Sequence, residues 1–335
     1  MEFERFDGYY LGRPPLDTVV LRFMADKNTV LSNLLAGALD VVYHKDALDV
    51  DGGKEVEQRW AGTPNVVTWT PTHRTISIEP QYRPEFARPE AGMAVRNVRE
   101  AMMHAVDRQA LVESITYGLS PVADHWISPI SKWRSAVEGA APHYEYDVAQ
   151  AQRMLAEAGW TMGSDGFLVD SATGERFETD LWNRFQFQRE QAVLADFWKV
   201  VGMQVNVKQL PVVRDRELEA KIAGGQIHDQ TISDYAIGRL RTADISTPAN
   251  RYNGRNLAGY SNPRFDEILA TLHATIEQGE AAKVHRELVR EAFTDLAIMP
   301  FYFQVTPLLM REGVTGPVGG GADVYWNFYQ WDKKT

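Results

Sequence analysis

A chain of 335 residues exceeds the roughly 250 to 300 residues at which single cores stop growing, so two lobes are expected. With 44% hydrophobic and 24% charged residues it has the composition of a globular protein, and a net charge of −10 without a long basic run argues against nucleic acid as a partner. No cysteine is present, which excludes disulfides, thiolate metal sites and cysteine nucleophiles, and no stretch reaches the roughly 18 to 20 apolar residues of a membrane helix.

The start, MEFERFDGYYLGRPP, is acidic and aromatic where a signal peptide is basic and then apolar. The expectation is therefore that the protein is not exported or that this chain lacks its true beginning. Residues 16–24 alternate and predict a strand after Pro14 and Pro15, and Val30, Leu31, Leu34 and Leu35 predict a helix capped by Gly37. LDVVY restarts an extended run, residues 44–64 are polar and Gly-rich, and VVTWTP and TISIEP predict two short strands. The proline-broken QYRPEFARPEAG is the expected crossing between lobes.

From Val95 a long helix is expected, interrupted at Asp107 and Arg108. YDVAQAQRMLAEAGW predicts a helix from the cap Asp147 to the terminator Gly159, and QREQAVLADFWKVVG one closed by Gly202, followed by the strand MQVNVKQL. RELEAKIAGG predicts a short helix and QIHDQTISDY a short strand and loop. Asn262 and Pro263 then open a helix, a second follows at once, and IMPFYFQVTPLLM is extended.

Motifs of the common enzymes are missing: there is no G-x-S-x-G, HExxH, P-loop or GxGxxG. The eight histidines are scattered at spacings that do not pair, so neither a metal nor another cofactor is expected. Carboxylates for acid–base chemistry leave little local signature, but nothing favours them, and the expectation is a protein that is not an enzyme. Aromatic and charged residues instead gather at the ends of extended runs, in DLWNRFQF, ISDYAIGRLR, NRYNGRN and VYWNFYQW. Such residues line recognition pockets, and also fill cores, which is the competing reading for Trp182, Trp198 and Trp326. Arg184 and Asp234 each need a partner, either an internal salt bridge or a ligand of opposite charge.

In order along nearly the whole chain, GYYLGRPPLDTVVLRFMADKNTVLSNLLAGALDVV, NVREAMMHAVDRQALVESITYGLSPVADHWISP, YDVAQAQRMLAEAGW, QAVLADFWKVVGMQVNVK, NLAGYSNPRFDEIL and IMPFYF occur. With these segments the chain resembles the extracytoplasmic solute-binding proteins of ABC importers that take peptides, nickel complexes and some oligosaccharides, known as family 5. The resemblance implies an α/β fold of the periplasmic-binding-protein type II kind, two lobes closing at a hinge, with the first lobe incomplete and the family's chains longer. Residues 1–82 and 306–335 would form what remains of the first lobe, and 83–305 the second. It also implies a periplasmic or cell-surface location, a peptide or small-molecule ligand, ABC permease subunits as partners, and membrane contact only through the permease or a lipid anchor outside this chain.

By the family's pattern Asp234, in TISDY, would meet a ligand amine, and Arg184, in LWNRF, a ligand carboxylate. Tyr235, Trp182, Arg239, Tyr252 and Asn256 complete the expected ligand-binding set. Ile232 and Ser233 stand where the family often has Trp and a small residue, which leaves Arg239 and Arg241 free to select an acidic or sugar-phosphate ligand. The alternative expectation is a truncated form that binds no solute and acts through self-association or a partner chain.

Overall fold

A computed structural model describes residues 1–44, 47–231, 237–319 and 324–334. The chain divides into two compact units, one of residues 1–73 and 304–335 and one of residues 74–303.

In the first unit, strands β1 (Glu2–Glu4) and β2 (Thr18–Val20) pair antiparallel. Helix α1 (Lys27–Leu35) starts where Asp26 accepts the Thr29 N–H, and strand β3 (Val41–Tyr43) follows. Helix α2 (Val50–Arg59) lies in the polar, Gly-rich stretch, where the sequence predicts no element. Asp49 caps it, and Gly53 lets it pack closely, since a Cβ there would meet the Trp69 ring at 2.5 Å and Pro307 at 2.9 Å. Val30, Leu34, Val42, Leu48, Val56 and Trp60 form this unit's core with Leu309.

Strand β4 (Val66–Pro80) is one continuous strand where two were expected. Its pairing with β9 (Gly225–Thr231) begins only at Arg74, so Pro71 lies outside that ladder. The division between the units falls inside β4, and the proline-broken segment 81–92 lies within the second unit.

The second unit continues with helices α3 (Arg96–His104) and α4 (Arg108–Thr116), separated because Asp107 turns out of the first helix to cap the second. Helix α5 (Val148–Glu157) begins at Asp147 and is followed by the hairpin β5 (Trp160–Met162) and β6 (Leu168–Asp170). Strand β7 (Glu178–Asn183), helix α6 (Gln188–Val200) and strand β8 (Gln204–Gln209) make a βαβ crossover with parallel strands. Helix α7 (Arg216–Ala220) leads to strand β9 (Gly225–Thr231), parallel to β7 and antiparallel to β4. Helices α8 (Pro263–Ala274), capped by Asn262, and α9 (Gln278–Thr294) precede strand β10 (Met299–Met310), whose end pairs with β3 in the first unit. The short strands β11 (Val314–Thr315) and β12 (Asp332–Lys333) pair in the first unit. Among the described residues no helix is long and apolar enough to cross a membrane.

The larger core lies in the second unit, where Trp160, Trp198, Phe177 and Phe265 are fully buried. Trp198 donates its indole N–H to the Met102 carbonyl at 3.0 Å, a core role. His125 is buried too: its Nδ1 accepts the Ile127 N–H at 3.1 Å, and burial, with help from Arg134, pushes its pKa down to about 4. The unfolded chain, with an ordinary histidine near 6.5, takes up the proton first, so this group costs stability as pH falls from about 6.5 to 4, by about 3 kcal/mol in all. His125→Asn keeps an acceptor for Ile127 and should flatten this acid slope in urea unfolding from pH 7 to 4. An unchanged slope would remove His125 as its source.

Candidate functional site

Along β4 the run Thr75-Ile76-Ser77-Ile78-Glu79 alternates faces. Ile76 and Ile78 join Leu181 and Ile227 in the core. Thr75, Ser77 and Glu79 point the other way, and they are buried as well, with Glu79 only 5% exposed. Strand register sets Glu79 opposite Gln226, Gln226 beside Trp182, and Trp182 beside Lys208. Register partners share a face, so these four residues form one row across β4, β9, β7 and β8. Ser77 and His228 pair in the next row.

Two buried carboxylates organise this face. Glu79 lies 3.0 Å from Arg239 and 3.5 Å from His228. Glu219, 3% exposed near the end of α7, is held by Arg184 at 2.5 Å and by Arg214 at 3.1 Å. Asp215 caps α7 through the Leu218 N–H, which fixes the helix that carries Glu219. In both clusters the carboxylate is buried and the arginines reach outward, an arrangement that leaves neither glutamate uncompensated. Between them lies a cavity of about 10 Å³, lined by Glu79, Gln81, Glu219 and Gln226 with an apolar wall of Ile222, Leu257 and Ala258.

Arg83 ties the wall of that cavity together. Its guanidinium donates to the Gln81 Oε1 at 3.0 Å, the Ser246 carbonyl at 2.9 Å and the Leu257 carbonyl at 2.5 Å, and also to the Ala220 carbonyl. Burial lowers its pKa from the ordinary arginine value, against an opposing pull from Glu85. Gln81 is pinned in turn, donating to the carbonyls of Ala220 at 3.2 Å and Ile222 at 2.8 Å.

Of the residues expected at the site, Trp182, Arg184 and Arg239 come together on this face or at its rim. Asp234 and Tyr235 lie outside the described residues, on the connection between Thr231 and Ile237. Tyr252 sits on a left-handed turn and donates its hydroxyl to Glu217 of α7 at 3.4 Å. Asn256 is engaged otherwise: its amide donates to the carbonyls of Leu240, Arg241 and Tyr260 and accepts the N–H groups of Gly259 and Tyr260, so a ligand finds no spare group on it. Arg239 and Arg241 are not free for an acidic ligand either, because Glu79 and Asp244 hold them. Arg184 has the internal partner that the sequence left open. The sequence reading missed Glu79, Gln226, Glu219, Gln81 and Arg83; the alternation that ends in Glu79 was the available signal. Among the described residues no group of three or more histidine and carboxylate side chains could hold a metal ion.

A two-unit, mixed α/β fold with this sheet is that of the periplasmic-binding proteins of type II. An oligopeptide binding protein from Thermus thermophilus, solved with a pentapeptide, superposes with a TM-score of 0.73 at 24% identity, covering 94% of this chain and 55% of that one. NikA from Brucella suis, solved with Fe(III)-EDTA, gives 0.80 at 16% identity, covering 99% and 65%. The chain belongs to the bacterial extracellular solute-binding proteins, family 5, whose middle-region model matches residues 1–238. Oligopeptide-binding protein AppA of Bacillus subtilis is 23% identical over 318 residues, 94% of this chain and 56% of the relative. Heme-binding protein A of Haemophilus influenzae is 22% identical over 312 residues, 86% and 48% respectively. The chain thus spans about half the length of these curated relatives.

Proposed function

We propose that this chain belongs to the solute-capturing component of an ABC importer, working outside the cytoplasm and delivering a peptide or related polar solute to permease subunits. The observation that carries the reading is the buried polar face of β4, β9 and β7, with two arginine-capped glutamates against it. At Thr75, Ser77, Glu79 and Gln226 the positions that alternate with the core are polar and buried, which suits recognition better than packing. Residues 1–82 and 306–335 act as one lobe in this reading and 83–305 as the other, with Asp234, Tyr235, Trp182, Arg184 and Arg239 as ligand-binding residues. Glu79 balances Arg239, and Glu219 balances one of Arg184 and Arg214, so the cluster keeps a single positive charge in excess, which Asp234 would offset. The solute it suits carries an amine and hydrogen-bonding amides, with no need of a strongly anionic group.

A thermal-shift screen of peptides, opines and sugars tests this. A solute at a hundred times its Kd should add roughly 2.7 kcal/mol of stability. Peptides with a free amine should stabilise the protein, and Asp234→Ala should abolish that gain. Failure of every class, or an undiminished gain in the variant, would remove the reading or its anchor.

A further inference from the structure

Gln226 is a side chain on the polar face that the ion pairs leave out. It is 4% exposed, and among the described residues neither its amide nitrogen nor its amide oxygen has a hydrogen-bond partner. Native structures seldom leave both ends of a buried amide unanswered. Two further polar atoms on the same face share this condition: the indole N–H of Trp182, its register neighbour, and the hydroxyl of Ser77 one row away. Gln226 also lines the cavity between the two glutamates, whose volume of about 10 Å³ admits a group about the size of a water molecule.

The charges select what can sit there. Glu79 is compensated by Arg239 beside His228, and Glu219 by Arg184 and Arg214, so an added cation would meet an arginine-rich rim without an unpaired carboxylate. An anion would instead meet two glutamates across a space of molecular dimensions. We propose that Gln226 is a hydrogen-bonding subsite for one uncharged group that donates and accepts at once. A resident water has this chemistry, and so does a hydroxyl or primary amide at the end of a solute. Only the second source rests on the functional reading above.

The test is Gln226→Met, which keeps length and removes both polar atoms, read by melting of the ligand-free protein and by calorimetric affinity for whichever solute the screen finds. A melting temperature lowered by about 2–4 °C identifies a resident water. An unchanged melting temperature with affinity reduced about tenfold identifies a group of the solute. A melting temperature that stays or rises while affinity is unchanged overturns the subsite, because the amide was then idle. If no solute is found the functional reading fails by itself, and the melting arm decides alone: anything but a fall overturns the proposal. Should the variant not fold, high-resolution diffraction from the unaltered protein reads the same point. Density within hydrogen-bond distance of both amide atoms supports the subsite, and two dry amide atoms overturn it.

Discussion

Arg184→Ala combined with Arg214→Ala is expected to cost about 3–5 kcal/mol of stability, because it strands the Glu219 carboxylate at 3% exposure without a cation. The cost should be strongly non-additive. Either arginine alone still compensates the charge, so each single variant should lose less than half as much. Adding Glu219→Gln to the double variant should restore much of the loss, since the amide that replaces the stranded carboxylate carries no charge. Urea midpoints of the unaltered protein, the singles, the double and the triple variant check this. A double variant no worse than the sum of mild singles would mean that Glu219 is wetter or otherwise paired.

Asn256→Ala should lose about 3–4 kcal/mol. Three carbonyls and two N–H groups depend on that one amide, and a methyl group replaces none of them. Asn256→Asp keeps the two acceptor contacts and turns the three carbonyls against a charge, so it should be no milder. Thermal unfolding gives the magnitude, and faster amide exchange at Gly259 and Tyr260 gives the location. A stable Asn256→Ala protein with weakened solute binding would return Asn256 to the ligand set.

Helix boundaries were the most legible part of the sequence. Asp147, Asp107 and Asn262 with Pro263 are local signals, and each caps the helix that follows it. Helix α2 was not legible, because its Gly52-Gly53 pair looks like a turn. At Gly53 the glycine meets a packing demand from Trp69 and Pro307, the second of them distant in sequence. The continuous β4 was hidden for a related reason, since whether Pro71 breaks a strand depends on where its ladder with the far-off β9 begins. At the site, the residue types at strand ends pointed to Trp182, Arg184 and Arg239. Their partners did not stand out. Glu79 and Gln226 occupy the polar positions of alternating strands, and alternation reports which face is polar without reporting that both faces are buried. The structural engagement of Asn256 was not legible, because a surface-type residue in a loop looks the same whether its amide faces solvent or five backbone groups.

The guanidinium of Arg83 fastens together stretches of chain that lie 137, 163 and 174 residues away from it. Closing such long intervals forfeits much conformational freedom before any bond is made, so this knot belongs among the last things tied during folding. Lysine would be a poor understudy for it, having one compact charge in place of a planar fork that reaches several carbonyls at once. The segments near 220, 246 and 257 are thereby held to one point, and their side chains can change only so long as their carbonyls stay where one arginine can reach them.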